Sequence, residues 1–312
     1  MSQKKLISIM TPCFNEEKNV ESLYAEVKKI FSNIPNYDYE HLFIDNCSQD
    51  KTAHILKRIA AEDKRVKLIC NTRNFGQVRS PYYGILQCSG DAVITLAADF
   101  QDPPALILEF IKRWEDGYKI VIGIKNKSEE NKLMFAVRKV FYLTIDKISE
   151  SEHINNFTGY GLYDKKFIDV IKKLDDPYPY FRGLVSELGF DRSEIFYTQA
   201  KRKKGKTSNN FFSLYDVAML GFVNHSKLPL RLASFIGFFV SIISLIIAAI
   251  YLVDKLMHWN DFNAGTAPLV IGLFFFSSIQ LIFIGVMGEY ISAIYTKVRN
   301  HPLVVEKERI NF

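Results

Sequence analysis

Apolar positions follow two rhythms in the first two-thirds of the chain and a third beyond it. Short β-prone runs at residues 6–11, 39–44, 66–70 and 92–96 each close in a polar cluster. Between them apolar residues recur at helical spacing. Val20, Leu23, Tyr24, Val27, Ile30 and Phe31 mark one face of a helix over 20–31. The same spacing predicts helices over 52–61, from the turn-rich stretch 71–76 to about 89, and from Pro104 to about 116. A strand at 120–123 and a helix near 134–148 follow. Strands alternating with helices predict an α/β domain with a mostly parallel sheet of βαβ units. The polar strand ends then share one edge, where open α/β sheets bind ligands.

The third rhythm is continuous. Residues 233–253 and 265–288 contain no charged residue, and each exceeds the roughly 20 apolar residues needed to cross a bilayer. They predict two transmembrane helices. Lys227 and Arg231 precede the first span, Lys297, Arg299, Lys307 and Arg309 follow the second, and Lys255 is the one firm cation between them. Positive-inside bias places both termini of a multi-pass membrane protein in the cytoplasm. No signal peptide is visible at the start, which agrees. Just before the spans, the basic run Lys201-Arg202-Lys203-Lys204-Gly205-Lys206 leads to a helix over 211–222. Phe211, Leu214, Tyr215, Ala218, Met219 and Phe222 share one of its faces, either in the lipid interface or against the soluble domain. The expected organisation is a cytoplasmic catalytic domain at 1–200, an interfacial segment at 201–229, a transmembrane hairpin at 230–291 and a cytoplasmic tail at 292–312.

Composition narrows the function. A net charge of +6 over 312 residues suits a protein resting on anionic lipid or handling phosphates. No nucleic-acid recognition motif accompanies the charge. Cys13, Cys47, Cys70 and Cys88 form no metal-binding spacing and read as reduced thiols. The chemistry concentrates after the run 92–96, in Ala97-Ala98-Asp99-Phe100-Gln101-Asp102-Pro103-Pro104. Carboxylates and an amide at a strand end suit a divalent cation holding a phosphorylated substrate, or else form a solvated acidic turn.

The motifs TPCFNEE at 11–17, IDNCSQDKT at 44–52, NTRNFGQ at 71–77 and AADFQDPP at 97–104 resemble the inverting family 2 glycosyltransferases of GT-A fold. With the two spans and the tail GEYISAIYTKVRNHP at 288–302, the chain is similar to bacterial polyprenyl-phosphate glycosyltransferases, relatives of dolichol-phosphate mannose synthase. That resemblance implies transfer of a sugar from a nucleotide-sugar, such as a UDP-hexose, to a polyprenyl phosphate such as undecaprenyl phosphate. It also implies Asp99 and Gln101 as ligands of a Mg²⁺ or Mn²⁺, Asp102 as a catalytic residue orienting the sugar or holding the loop, and a homo-oligomer. Donor binding is expected from Thr11, Pro12, Asn15 and Glu16 at the first strand end and from Asp45 at the second. Asn74 and Gly76 frame a loop whose backbone amides would meet the diphosphate. Glu16 and Glu17 equally suit a helix first turn. Lys125, Arg138, Arg202 and Lys204 are the candidate cations for the acceptor phosphate.

The chain departs from the family pattern at Ala97, where a carboxylate is usual, and at Asn46, Cys47 and Gln77. It reads Gly159-Tyr160-Gly161-Leu162 where many members carry Asp-Phe-Arg-Leu with a proposed catalytic base. A phosphate monoester, with a second pKa near about 6, is already mostly dianionic at neutral pH and needs no base. Two rivals follow. A processive polysaccharide synthase would carry a Gln/Arg-x-x-Arg-Trp element, whereas Arg113-Trp114 is preceded at the needed position by Phe110. A non-catalytic paralogue that binds nucleotide-sugar or lipid would explain Ala97 and Gly159.

Overall fold

The structure, a computed structural model, describes residues 4–126, 154, 156–199, 228–257, 266–299 and 301–312. Strands β1 (Lys5–Cys13), β2 (Tyr37–Asp45), β3 (Val66–Asn71) and β4 (Ala92–Thr95) alternate with helices α1 (Val20–Ser32), α2 (Thr52–Glu62) and α3 (Gly76–Gln87). A 3₁₀ turn at Pro104–Leu106 leads into α4 (Ile107–Glu115) and then β5 (Ile120–Lys125). The next elements are β6 (Phe157–Asp164), α5 (Lys165–Lys173), α6 (Phe181–Glu187) and β7 (Arg192–Tyr197). Two long helices, α7 (Leu228–Met257) and α8 (Thr266–Val298), precede a last strand, β8 (Glu306–Ile310).

All eight strands form one sheet in the order β7-β5-β6-β4-β1-β2-β3-β8. The pairs β4-β1, β1-β2 and β2-β3 are parallel, as the alternation of elements predicts. Apolar runs without alternation suit such strands because both faces are covered. On one face pack Val20, Leu23 and Val27 of α1, Leu56 and Ile59 of α2, and Phe110 and Trp114 of α4. On the other pack Tyr82 and Ile85 of α3, Phe167, Ile168 and Ile171 of α5, and Val185 of α6. Leu23 has no exposed surface, so Leu23→Ala would cost about 2–5 kcal/mol through the cavity it leaves.

Two strands break the parallel pattern. β6 runs antiparallel between β4 and β5. Gly161 permits that insertion, because an added Cβ would lie 2.5 Å from the Val121 carbonyl oxygen. At the other edge β8 pairs antiparallel with β3, so residues 306–310 of the expected tail belong to the catalytic sheet. Polar bonds reinforce the joint. Asn311 Nδ2 donates to the carbonyls of Ala60 (2.6 Å) and Val66 (2.8 Å), and Arg309 Nη2 reaches Gln87 at 2.8 Å.

Among the described residues one stretch, Phe275–Val298 of α8, is long and apolar enough to cross a membrane. The expected first span lies on α7, but its described apolar stretch is the shorter Ser234–Ser244. The predicted helices at 134–148 and 211–222 lie outside the described residues.

Candidate active site

The parallel strands deliver three loops to one edge of the sheet. At the end of β1, Asn15 adopts φ 59°, a left-handed conformation that Asn tolerates better than most residues. From there its backbone N–H donates to Ser48 Oγ at 2.9 Å and its side chain accepts from the Gln49 N–H at 2.8 Å. Ser48 in turn donates its hydroxyl and its backbone N–H to Asp45. Asp45 is buried at the end of β2. Burial pushes its carboxyl pKa up, and the bonds from Ser48 oppose that rise. Asn15 and Asp45, both expected at the donor site, are thus brought together through Ser48.

Thr11 requires a correction. Its side chain is fully buried and hydrogen-bonded to His41 Nε2 at 3.0 Å, so it faces the core and cannot wall a base. Pro12 follows at the half-buried end of β1. Glu16 serves its own loop: its carboxylate accepts from Asn19 Nδ2 at 2.6 Å and its N–H donates to Thr52 Oγ1 at 2.8 Å. Glu17 accepts from the Lys51 N–H at 3.1 Å, at the start of α2. Both residues precede the N-cap of α1, Asn19, and the acid in that helix's first turn is Glu21, so the first-turn role weighed for Glu16 and Glu17 is not what the structure shows.

The loop between β3 and α3 requires a second correction. Asn46 Oδ1 accepts from the Phe75 N–H at 2.9 Å and from Asn71 Nδ2 at 3.1 Å. Its Nδ2 donates to Asn74 Oδ1 at 2.8 Å and to the Gly76 carbonyl at 3.2 Å. Asn74 Oδ1 also accepts from the Gly76 N–H at 2.8 Å. The amides of Phe75 and Gly76 are both committed inside the loop, so they are not free for a diphosphate. Asn46 is a loop-setting residue that motif matching registers only as a departure from Asp. A side-chain amide is needed here because it donates and accepts at once, which a carboxylate cannot do.

The acidic turn after β4 holds the strongest chemistry. Asp99 and Asp102 are both buried. Phe100 between them sits at φ 59°, and the Gln101 N–H closes the turn onto Asp99 Oδ1 at 3.1 Å. Tyr197, at the end of β7, donates its hydroxyl to Asp102 Oδ1 at 2.5 Å. Tyr160, on β6, donates to the Pro103 carbonyl at 2.7 Å and packs edge-on against both Phe110 and Tyr197. Burial raises the Asp102 pKa, the Tyr197 bond and the charge of Lys125 lower it, and Asp99 raises it again. The sheet therefore gathers Asp99, Gln101, Asp102 and Lys125. Tyr160 and Tyr197 were legible only as aromatic residues before the strand order was known.

The donors at Asp99 and Gln101 are a carboxylate and an amide, oxygen ligands of the kind hard divalent cations take. Among the described residues no three His, Cys, Asp or Glu side chains cluster as a metal site. The two residues can hold such an ion only in part, leaving its other positions to substrate oxygens and water. Beside them, the Gly159 carbonyl accepts from the hydroxyls of Thr95 and Tyr163. Gly159 has φ +98°, and a Cβ there would meet only Phe181 Cδ1, at 4.0 Å. Arg138, Arg202 and Lys204 lie outside the described residues.

The chain is similar to known proteins over most of its length. The family described as Glycosyl transferase family 2 matches residues 8–171. Putative glycosyltransferase CsbB of Bacillus subtilis (strain 168) is 34% identical over 303 residues, covering 96% of this chain and 92% of its own. The SfII prophage-derived bactoprenol glucosyl transferase of Shigella flexneri is 32% identical over 303 residues, covering 97% of each. Among solved structures, glucosyl-3-phosphoglycerate synthase from Mycobacterium tuberculosis, in complex with Mn²⁺, UDP and glucosyl-3-phosphoglycerate, aligns over 70% of this chain and 78% of its own. Its TM-score is 0.43 at 14% identity.

Proposed function

The chain belongs to glycosyl transferase family 2, and from that premise we propose that it transfers a hexose from a UDP-sugar to a polyprenyl phosphate at the cytoplasmic face of a membrane. One observation carries the reading: a single sheet both presents buried Asp45 and Asp99 at its parallel strand ends and takes in β8, the strand that follows the membrane-competent helix α8. A soluble donor and a lipid-borne acceptor would then meet at one edge of one rigid body. The full-length likeness to a bactoprenol glucosyl transferase supports the acceptor class. The apolar run at 233–253 supports a second span beside α8.

In this reading an acceptor phosphate oxygen attacks the anomeric carbon as the bond to the nucleotide diphosphate breaks, in one in-line step that inverts configuration. Asp99 and Gln101 would hold Mg²⁺ or Mn²⁺, whose positive charge favours departure of the diphosphate. Asp45, held by Ser48, lies at the strand end where the donor's uracil or ribose would sit. Asp102, held by Tyr197, orients the sugar, and Lys125 supplies positive charge for the incoming phosphate. A chain with Gly159 in place of an acidic side chain fits an acceptor that arrives already deprotonated.

The test incubates membranes containing the protein with polyprenyl phosphate and a panel of radiolabelled nucleotide-sugars. Lipid-extractable label that requires a divalent cation and disappears with Asp99→Ala supports the proposal. Donor binding without label from any sugar would favour the non-catalytic paralogue instead.

A further inference from the structure

An open polar cleft of about 280 Å³ lies beside the β3–α3 loop, lined by Thr72, Arg73, Phe75, Arg79, His301, Pro302 and Val305. One wall is thus the loop leading into α3, and the other is the short link between α8 and β8. Thr72 fastens the two walls together, donating its N–H (2.9 Å) and its hydroxyl (3.1 Å) to the Val305 carbonyl.

Among the described residues the lining carries two guanidinium groups and an imidazole, and no carboxylate. The acid next along the chain, Glu306, is engaged by Arg309 Nε at 2.9 Å and by the Tyr83 hydroxyl at 2.8 Å. Arg73 lies over the Phe75 ring at 4.2 Å and donates through Nη1 to the Asn74 carbonyl at 3.3 Å, while Arg79 lies over the Tyr178 ring at 5.1 Å. Stacking of this kind leaves the remaining N–H groups at the guanidinium edges. Arg79 Nε is buried and has no hydrogen-bond partner among the described residues. The Arg79 side chain as a whole is half-buried, but a buried N–H without an acceptor is costly, and a bidentate anion is the ligand that a guanidinium fork fits best. The cavity has room for a phosphate with several waters.

We propose that this cavity binds the headgroup phosphate of an anionic phospholipid, drawn from the leaflet that α8 leaves. The inference rests on the reading of α8 as a membrane span. Position favours a lipid over the donor's diphosphate, because His301 and Pro302 lie within four residues of the end of α8 at Val298. The ligand would pin the β3–α3 loop and the start of β8 to the membrane surface. It would thereby hold the donor side of the site at a fixed height above the bilayer.

Native mass spectrometry of the full chain, released from micelles of phosphatidylcholine doped with phosphatidylglycerol, tests this directly. Retained phosphatidylglycerol should fall about tenfold in R73Q/R79Q, as expected for loss of two cationic contacts. UDP affinity, measured on the same samples, should change less than about twofold. R73K/R79K, which keeps the charge, should recover part of the retention. Retention unchanged in R73Q/R79Q overturns the proposal. So does displacement of the lipid by UDP, or weakened UDP binding with lipid retained, since either assigns the cavity to the donor site. Equal loss in the Lys and Gln variants also overturns it, because charge would not then be what binds. Lipid retention is read without turnover, so failure of the sugar-transfer assay leaves this test intact.

Discussion

The hydroxyl of Tyr197 donates to Asp102 Oδ1 at 2.5 Å, tying the outermost strand on one side of the sheet to the acidic turn beside β4. A hydrogen bond to a charged group contributes about 1.5–3 kcal/mol. Here it lowers the Asp102 pKa against the burial that raises it. Tyr197→Phe should therefore lower kcat by roughly tenfold with little change in donor KM. It should also move the acidic limb of the pH–kcat profile upward, as the Asp102 pKa rises. A purely structural role would lower the melting temperature without moving that limb.

Asp99 is expected to be the more severe position. Asp99→Asn keeps the size and the acceptor for the Gln101 N–H, yet removes the charge that would hold a cation. Sugar transfer should fall by at least about 100-fold, while chelation should abolish transfer by the native chain and Mn²⁺ should restore it. Transfer in Asp99→Asn that stays within a few-fold of the native rate would remove Asp99 from the metal site.

Asn46 offers a test of a different kind, because the residue usual in the family is not a neutral exchange in this chain. Asn46→Asp retains an acceptor for the Phe75 N–H but loses the donor that bonds Asn74 Oδ1 and the Gly76 carbonyl. A loosened β3–α3 loop should raise donor KM several-fold and leave kcat nearly unchanged. An equal fall in kcat at constant KM would place Asn46 in the chemical step instead.

Restoring the family acid at Gly159 should not improve the enzyme. There is open space around the missing Cβ, but φ +98° is unfavourable for any L side chain. Gly159→Asp should cost roughly 1–3 kcal/mol in stability, measured by denaturant unfolding of the full chain in micelles. Gly161→Ala should be worse, since its Cβ would strike backbone rather than open space.

His41 sets the acid limit of stability. It is fully buried, and desolvation alone depresses its pKa from 6.5 to about 3. The unfolded chain binds a proton that the folded chain refuses, so stability falls as pH drops from about 6.5 towards about 3. At about 1.4 kcal/mol per unit, the loss is on the order of 5 kcal/mol. His41→Gln, whose side chain does not titrate, should flatten that part of the stability–pH curve even if it lowers the whole of it. An unchanged slope would exclude His41 as the cause.

Much of the fold was legible because one physical constraint governs it locally. A parallel strand covered on both faces must be apolar throughout, and a helix covering it must be apolar on one side, so β1 to β4 and α1 to α4 appear as rhythms in the chain. The acidic turn at 97–104 was visible for the same reason: strand ends on one edge bring their loops together whatever their sequences. The uncharged runs at 233–253 and 265–288 were plain from composition, and among the described residues one stretch, Phe275–Val298, is long and apolar enough to cross a membrane.

What the tertiary structure decided depends on partners distant in sequence. Thr11 reads as a site residue until His41, one strand away, claims its hydroxyl. Asn74 and Gly76 read as a diphosphate cradle until Asn46 satisfies their loop from the next strand. Tyr197 and Asp102 meet because β6 enters the sheet antiparallel and brings β5 and β7 beside it. β8, with one short polar-rich run, carries no apolar rhythm of its own, and only the open edge of β3 makes it a strand. A side chain's chemistry is written in the chain, but whether that chemistry is free for a ligand or already spent on a neighbour is a property of the packed sheet.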